Sequence, residues 1–201
     1  MHDNDIILQG LAEQGWIMLD SHLSQPLVSQ LHEAAVDAWT RGEFRPAQVG
    51  ATSQPVHRPS IRGDTIMWLD ESKAAPPCRT FLHWAHALQQ YLNRNLFLGL
   101  KRAEFHFARY DAGFGYQKHF DQHRGQAFRQ ISLTLYLNPS WDASGGGELV
   151  LYDPQDAEHE IQRIQPHFGR MVLFRSALIP HAVLPCTRPR WSLTGWMRND
   201  A

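Results

Sequence analysis

The chain has 201 residues, enough for one domain with a sizeable core, since a domain of that length hides on the order of 70% of its unfolded surface. Hydrophobic residues make up 43%, with 7 Trp and 10 Phe, which excludes a disordered or low-complexity chain. A formal net charge of −1 leaves no electrostatic footprint for nucleic acid or an anionic membrane.

No apolar run approaches the ~20 residues that a membrane span needs. The first residues, Met1-His2-Asp3-Asn4-Asp5, are acidic where a signal peptide is basic. Cys78 and Cys186 lie far apart and form no metal or disulfide pattern. The expected location is the cytoplasm, with no membrane and no nucleic-acid partner.

No internal repeat and no linker divides the chain, so residues 1–201 are read as one domain. Residues 5–14 predict a short helix and Trp16-Ile17-Met18-Leu19-Asp20 a strand. Ser24-Gln25-Pro26 opens a second helix that runs to about Arg41, because Pro is tolerated in the first turn and Leu27, Leu31, Ala34, Ala35 and Trp39 keep helical period. Gly42 is its expected stop. Residues 44–60, with Pro46, Pro55 and Pro59, read as a loop, and Arg62 to Leu69 as a short strand. Pro76 to about Asn95 predicts a third helix, with Phe81, Trp84, Ala85, Leu88, Tyr91 and Leu92 on one face.

From Arg102 onward the period changes to two, and short strands follow one another to the end. Helices first and strands afterwards imply a β-sandwich or barrel with helices packed outside it. Residues 131–138 put Ile131, Leu133, Leu135 and Leu137 on one face and Ser132, Thr134, Tyr136 and Asn138 on the other. In 190–196, Arg190, Ser192, Thr194 and Trp196 oppose Trp191 and Leu193. Polar faces often meet solvent in antiparallel sheets. Helices covering the Leu faces would instead turn these polar faces into a barrel lining, which is the expectation here.

The chemistry-bearing stretch is Tyr110 to Asp121, which ends in His119-x-Asp121. Alternation along an extended segment puts those two side chains on the same side. With 12 histidines in the chain such a pair arises readily by chance, so a third ligand is needed. His181 is the strongest candidate, because it lies between the apolar segments 171–174 and 182–184, where an unpartnered imidazole is costly. Two imidazoles and one carboxylate leave coordination positions open, the pattern of non-haem Fe(II) oxygenases. Arg190, nine residues after His181, shares a face with Thr194. A planar guanidinium there suits the distal carboxylate of 2-oxoglutarate, with Thr194 and Tyr136 as hydroxyl donors.

Arg188, before a proline, reads as a surface residue. His123 competes with His119 but lies in a polar segment, His106 lines the barrel away from metal, and His57, His159 and His167 sit in polar loops without ligand partners. Gly145-Gly146-Gly147 lacks the Lys-Ser/Thr of a P-loop and reads as a tight turn.

Over nearly the whole chain these residues resemble the prolyl hydroxylase domain family, whose animal members modify the hypoxia-inducible factor, together with its bacterial relatives. The resemblance runs through residues 15–20, Arg62-Gly63-Asp64-x-Ile66-x-Trp68, Tyr110 to Asp121 and Tyr136-Leu137-Asn138. It continues through Trp141-Asp142, Gly146-Gly147-x-Leu149 and Pro180-His181 to Arg190-x-x-x-Thr194-x-Trp196. It implies a mainly β fold with flanking helices: a double-stranded β-helix (jelly roll, cupin-like) over residues 101–201. Residues 1–100 would supply about three supporting helices and a mobile substrate loop at about 46–68.

Carried over by position, His119, Asp121 and His181 would bind Fe(II) and Arg190 the C5 carboxylate of 2-oxoglutarate. Tyr110, Tyr136, Leu149, Thr194 and Trp196 would line the cosubstrate pocket, and Arg129, Arg62 and Asp64 would stand near a polypeptide substrate. Two departures from the animal members are a segment before His119 shorter by one residue and the large Phe120.

The implied activity couples decarboxylation of 2-oxoglutarate and reduction of O2 to trans-4-hydroxylation of a proline in a protein, elongation factor Tu in bacterial relatives, with ascorbate as reductant. Three alternatives stand beside it. One is hydroxylation of a small molecule or free amino acid. Another is nucleic-acid demethylation, disfavoured because Trp196 stands where that group carries a second arginine. The last is a non-catalytic metal-binding β-barrel, which needs only the two histidines and the aspartate.

Overall fold

A computed structural model describes residues 4–48, 58–122 and 127–200. In its N-terminal half, helix α1 (Asp5–Glu13), strand β1 (Trp16–Leu19), helix α2 (Gln25–Thr40), strands β2 (Arg45–Pro46) and β3 (Asp64–Trp68) and helix α3 (Pro76–Leu96) follow in order. Eight strands make up the rest: β4 (Arg102–Tyr110), β5 (Tyr116–His119), β6 (Arg129–Tyr136), β7 (Leu149–Tyr152), β8 (Glu160–Ile164), β9 (Met171–Arg175), β10 (His181–Val183) and β11 (Arg190–Arg198). They form two antiparallel sheets, a larger one in the order β1-β9-β6-β11-β4-β3-β2 and a smaller one in the order β5-β10-β7-β8.

Pro at the start of α2 and α3 leaves no helical hydrogen bond unmade. Gly42, at φ +73°, ends the turn after α2 in the left-handed region as expected. The buried stripe of α2 is Val28, Leu31, Ala35 and Ala38, turned slightly from the predicted face, with Leu27, Ala34 and Trp39 half-buried at its flank. The predicted loop at 44–60 is corrected at its start: Arg45 and Pro46 pair with Ile66 and Thr65. A proline is tolerated there because β2 is the sheet edge. Residues 49–57, which include Pro55 and His57, and residues 123–126, which include His123, lie outside the described residues.

The three helices cover one face of the larger sheet. Ile131, Leu133, Leu135 and Leu137 are fully buried there with Leu193 and Met197, against Phe81, Leu88 and Leu31 of the helices. Each such side chain contributes about 1.5–3 kcal/mol by leaving water. The opposite face looks toward the smaller sheet, and a second apolar cluster, which includes Leu149, Leu151 and Ile164 of the smaller sheet and Tyr136, Val172 and Phe174 of the larger, packs between them. Both faces of β6 and β11 are therefore buried, and the polar alternation lines an interior, as expected. Among the described residues no helix is long and apolar enough to cross a membrane.

Candidate metal centre and cosubstrate pocket

Antiparallel register lays the predicted site residues in rows across the larger sheet. Asp64 of β3 stands opposite Tyr110 of β4, and Tyr110 stands opposite Arg190 of β11. Four residues along each strand from that row, Trp68, His106, Thr194 and Thr134 form another, and two residues further Trp196 and Ser132 the next. Alternation points all of them to the same face. The smaller sheet brings the two histidines together, because His181 of β10 is the direct cross-strand partner of His119 of β5.

The ligand atoms of His119, Asp121 and His181 all lie within 4.8 Å of one another. His119 Nε2 is 3.5 Å from Asp121 Oδ1, and His181 Nε2 is 3.6 Å from Asp121 Oδ2. Nδ1 of each imidazole sits against a backbone carbonyl, Gln117 O at 2.7 Å and Ile179 O at 3.1 Å. A carbonyl only accepts, so Nδ1 carries the proton and both Nε2 lone pairs face the centre. Burial, reinforced by the neighbouring His119, lowers the His181 pKa to about 4 against the pull of Asp121, so this imidazole is neutral at pH 7. Burial works to raise the Asp121 carboxyl, but His181, His119 and the Ser132 hydroxyl hold it well below its ordinary value. Two imidazoles oriented by backbone carbonyls and one ionised carboxylate are a donor set suited to a divalent transition metal.

Arg190 is 2% exposed. Its Nε donates to the Gly147 carbonyl at 2.8 Å, and it makes no ion pair among the described residues. Gly147 has φ +68°, and a Cβ on it would lie 2.9 Å from Arg190 Cδ, so glycine admits the guanidinium. Its charge centre stands 5.3 Å from the Tyr110 ring and 5.0 Å from the Tyr136 ring. The Tyr136 hydroxyl is buried beside Arg190 but has no hydrogen-bond partner of good geometry among the described residues. Burial raises the phenol pKa of Tyr110 and of Tyr136, so both stay neutral donors. A buried cation without a counter-ion is costly, and with an idle hydroxyl beside it the pocket matches a carboxylate. Thr194 Oγ1 lies 3.2 Å from Thr134 Oγ1 and 3.3 Å from Ser192 Oγ. Leu149 and Trp196 complete the wall of the same cavity.

Outside that cavity runs a groove of about 570 Å³, walled by Arg45, Ile66, Trp68, Phe120 and Arg129 among others. Arg62 and Asp64 are joined by two hydrogen bonds, 2.7 and 3.0 Å. Burial opposes the Arg62 charge, but the Asp64 carboxylate outweighs it and raises the pKa. The Arg129 guanidinium lies 3.4 Å over the Trp196 ring. Phe120, the large residue at a departure from the family pattern, is 42% exposed on the groove wall.

The residues proposed from the sequence for metal, cosubstrate and substrate thus all line this cavity or the adjoining groove. Arg188 stands apart, stacked on Trp141, and His159 and His167 are exposed. His106 is buried in the cavity between Trp68 and Trp196, at ring distances of 4.7 and 5.5 Å. Sequence reasoning missed Tyr116, whose ring stacks on His119 at 3.5 Å, and gave no role to Ser132, which bonds Asp121. The shared parity of Ser132 with Tyr136 was the available signal for the latter.

Comparison with known proteins agrees with this geometry. The family model of the 2OG-Fe(II) oxygenase superfamily matches residues 105–198. A hypoxia-inducible factor prolyl hydroxylase of Caenorhabditis elegans is 28% identical over 205 residues, covering 97% of this chain; the chain spans only 28% of that relative's length. Among solved structures, a Pseudomonas putida prolyl-4-hydroxylase superposes with a TM-score of 0.88 at 36% identity, covering 98% of this chain and 99% of that one. A Trichoplax adhaerens prolyl hydroxylase, solved with a peptide fragment of the hypoxia-inducible factor oxygen degradation domain, gives a TM-score of 0.86 at 24% identity, over 98% and 89% of the two chains. Its prolyl-hydroxylase relatives share the double-stranded β-helix core seen here. The chain belongs to the 2-oxoglutarate- and Fe(II)-dependent oxygenase superfamily, within its prolyl hydroxylase family.

Proposed function

We propose that the protein is a prolyl 4-hydroxylase acting on a proline within a polypeptide. The observation that carries this reading is the buried Arg190, without an ion-pair partner among the described residues, beside the Tyr136 hydroxyl that has no well-formed hydrogen bond among them, in one cavity with the His119–Asp121–His181 cluster. A non-catalytic metal-binding barrel has no use for that cation. In this reading His119, Asp121 and His181 hold Fe(II). Arg190 grips the distal carboxylate of 2-oxoglutarate in a fork of two hydrogen bonds, with Tyr136 and Thr194 as further donors. Iron and 2-oxoglutarate together supply the oxidising chemistry from O2, releasing succinate and CO2.

The chain's own part is orientation and exclusion of water. Tyr110, Leu149 and Trp196 wall the cosubstrate on its apolar sides, and the open groove admits a chain segment whose proline ring reaches the inner cavity. Arg129, Arg62 and Asp64 stand along that approach and are assigned to the substrate. Elongation factor Tu is the proposed target, ascorbate the proposed reductant and the cytoplasm the proposed location. The two free, buried cysteines are compatible with a reducing compartment. Residues 1–201 act as one catalytic unit in this reading.

The test incubates the protein with Fe(II), 2-oxoglutarate, O2 and the lysate of its own organism, and maps modified peptides by mass spectrometry. The expected product is a peptide, from elongation factor Tu, that gains one oxygen on proline and is absent with Arg190→Ala. Succinate release with no hydroxylated proline would reject the polypeptide assignment.

A further inference from the structure

Asp121 follows the end of β5 in the smaller sheet, yet its carboxylate is held from the larger one. Ser132 Oγ, on β6, lies 2.6 Å from Asp121 Oδ2, and Ser132 Oγ lies 2.8 Å from Ser176 Oγ, in the turn after β9. All three are buried, Ser132 at 2% exposure and Ser176 at 0%. The direction of this chain follows from donor counts. A hydroxyl has one proton, and a carboxylate only accepts, so the Ser132 proton is committed to Asp121. Ser176 must therefore donate to Ser132.

Ser176 is itself anchored on both sides of the gap between the sheets. Its backbone N–H donates to Gln130 O at 3.0 Å, and its carbonyl accepts from Gln122 N at 3.3 Å, the residue after Asp121. One turn thus ties the carboxylate segment to β6 twice, through the backbone and through the two hydroxyls. Bonds in such a series polarise one another in a buried setting.

We propose that Ser132 and Ser176 form a directed hydroxyl relay that occupies Asp121 Oδ2, leaves Oδ1 as the oxygen presented to the metal, and thereby sets metal affinity. Both serines are positioning residues: neither belongs to the ligand cluster or lines the cavity and groove. The relay extends the metal-site reading above and rests on it. Without Ser132, the carboxylate keeps its place in the chain but loses the donor that fixes its rotamer. It can then turn, or offer both oxygens, and the ligand geometry loosens.

The experiment titrates metal-free protein with Co(II) under anaerobic conditions, following the visible absorption bands of the bound ion, for wild type, Ser132→Ala and Ser176→Ala. Circular dichroism of each metal-free variant reports folding separately. Ser132→Ala is expected to weaken Co(II) binding by about 10- to 100-fold, the range for partners that orient a metal ligand, and to shift the bands. Ser176→Ala should produce the same shift with a smaller loss of affinity. Wild-type affinity with wild-type bands in the folded variants would overturn the relay. If Ser132→Ala does not fold, Ser176→Ala decides by the same criterion. A wild-type protein that takes up no Co(II) would overturn the metal-site reading, and the relay with it.

Discussion

Arg190 is a cation buried at 2% exposure with a backbone carbonyl as its hydrogen-bond acceptor. That is tolerable only if an anion completes the site in the working protein. Truncating one partner of such a buried charged pair costs about 2–5 kcal/mol. Arg190→Ala should therefore weaken 2-oxoglutarate binding at least ~30-fold by titration calorimetry with Mn(II) in place of iron. Tyr136→Phe removes a hydroxyl that has no good partner in the described residues. It should leave folding stability unchanged and weaken 2-oxoglutarate by about 10-fold, the worth of one hydrogen bond. His106 makes a different prediction. Burial, aided by Arg62, lowers its pKa to about 3, against about 6.5 in an unfolded chain. Between those values the unfolded state takes a proton that the folded state refuses, so stability falls as pH falls below ~6.5. His106→Phe should flatten that decline by up to ~1.4 kcal/mol per pH unit, read from urea unfolding at pH 7.5 and 5. An unchanged slope would show that His106 takes up its proton as readily in the folded protein as in the unfolded chain.

At the scale of elements, β11 is the spine, paired to β4 on one side and β6 on the other along nearly its whole length. Gly195 lies at its middle, where a Cβ would come within 2.1 Å of Glu104 O and 2.3 Å of Phe105 Cδ1. Neither neighbour can yield, since one is backbone and the other a 1% exposed ring. Gly195→Ala should cost about 1–3 kcal/mol in chemical denaturation, with 2-oxoglutarate affinity falling as well because Arg190 shares the strand. Alternation was legible in β6 and β11 because each face meets a different environment: helices behind, cavity in front. The pairing of β2 was not legible. Two residues ending in a proline carry no periodicity, and only a neighbouring strand turns them into an edge.

At the scale of the whole molecule, the site sits between two sheets, so its ligands should stiffen the assembly. A ligand at 100 times its dissociation constant stabilises the folded state by about 2.7 kcal/mol. Mn(II) and 2-oxoglutarate together should raise the melting temperature of wild type by scanning calorimetry. In Arg190→Ala the increment from Mn(II) should persist while that from 2-oxoglutarate disappears; loss of both would mean that the variant disrupts the metal centre too. The sequence by itself determined that three helices precede a run of strands, the polar and apolar faces of β6 and β11, and the donor types at His119, Asp121, His181 and Arg190. These depend on local period and side-chain chemistry, which are written in neighbouring residues. Only the tertiary structure decided that His181 pairs directly with His119, that Arg190 is buried without a counter-ion among the described residues, and that Ser132 and Ser176 hold Asp121 from the opposite sheet. Those facts depend on register and sheet packing, where residues as distant in sequence as His119 and His181 are brought side by side by contacts that no local pattern encodes.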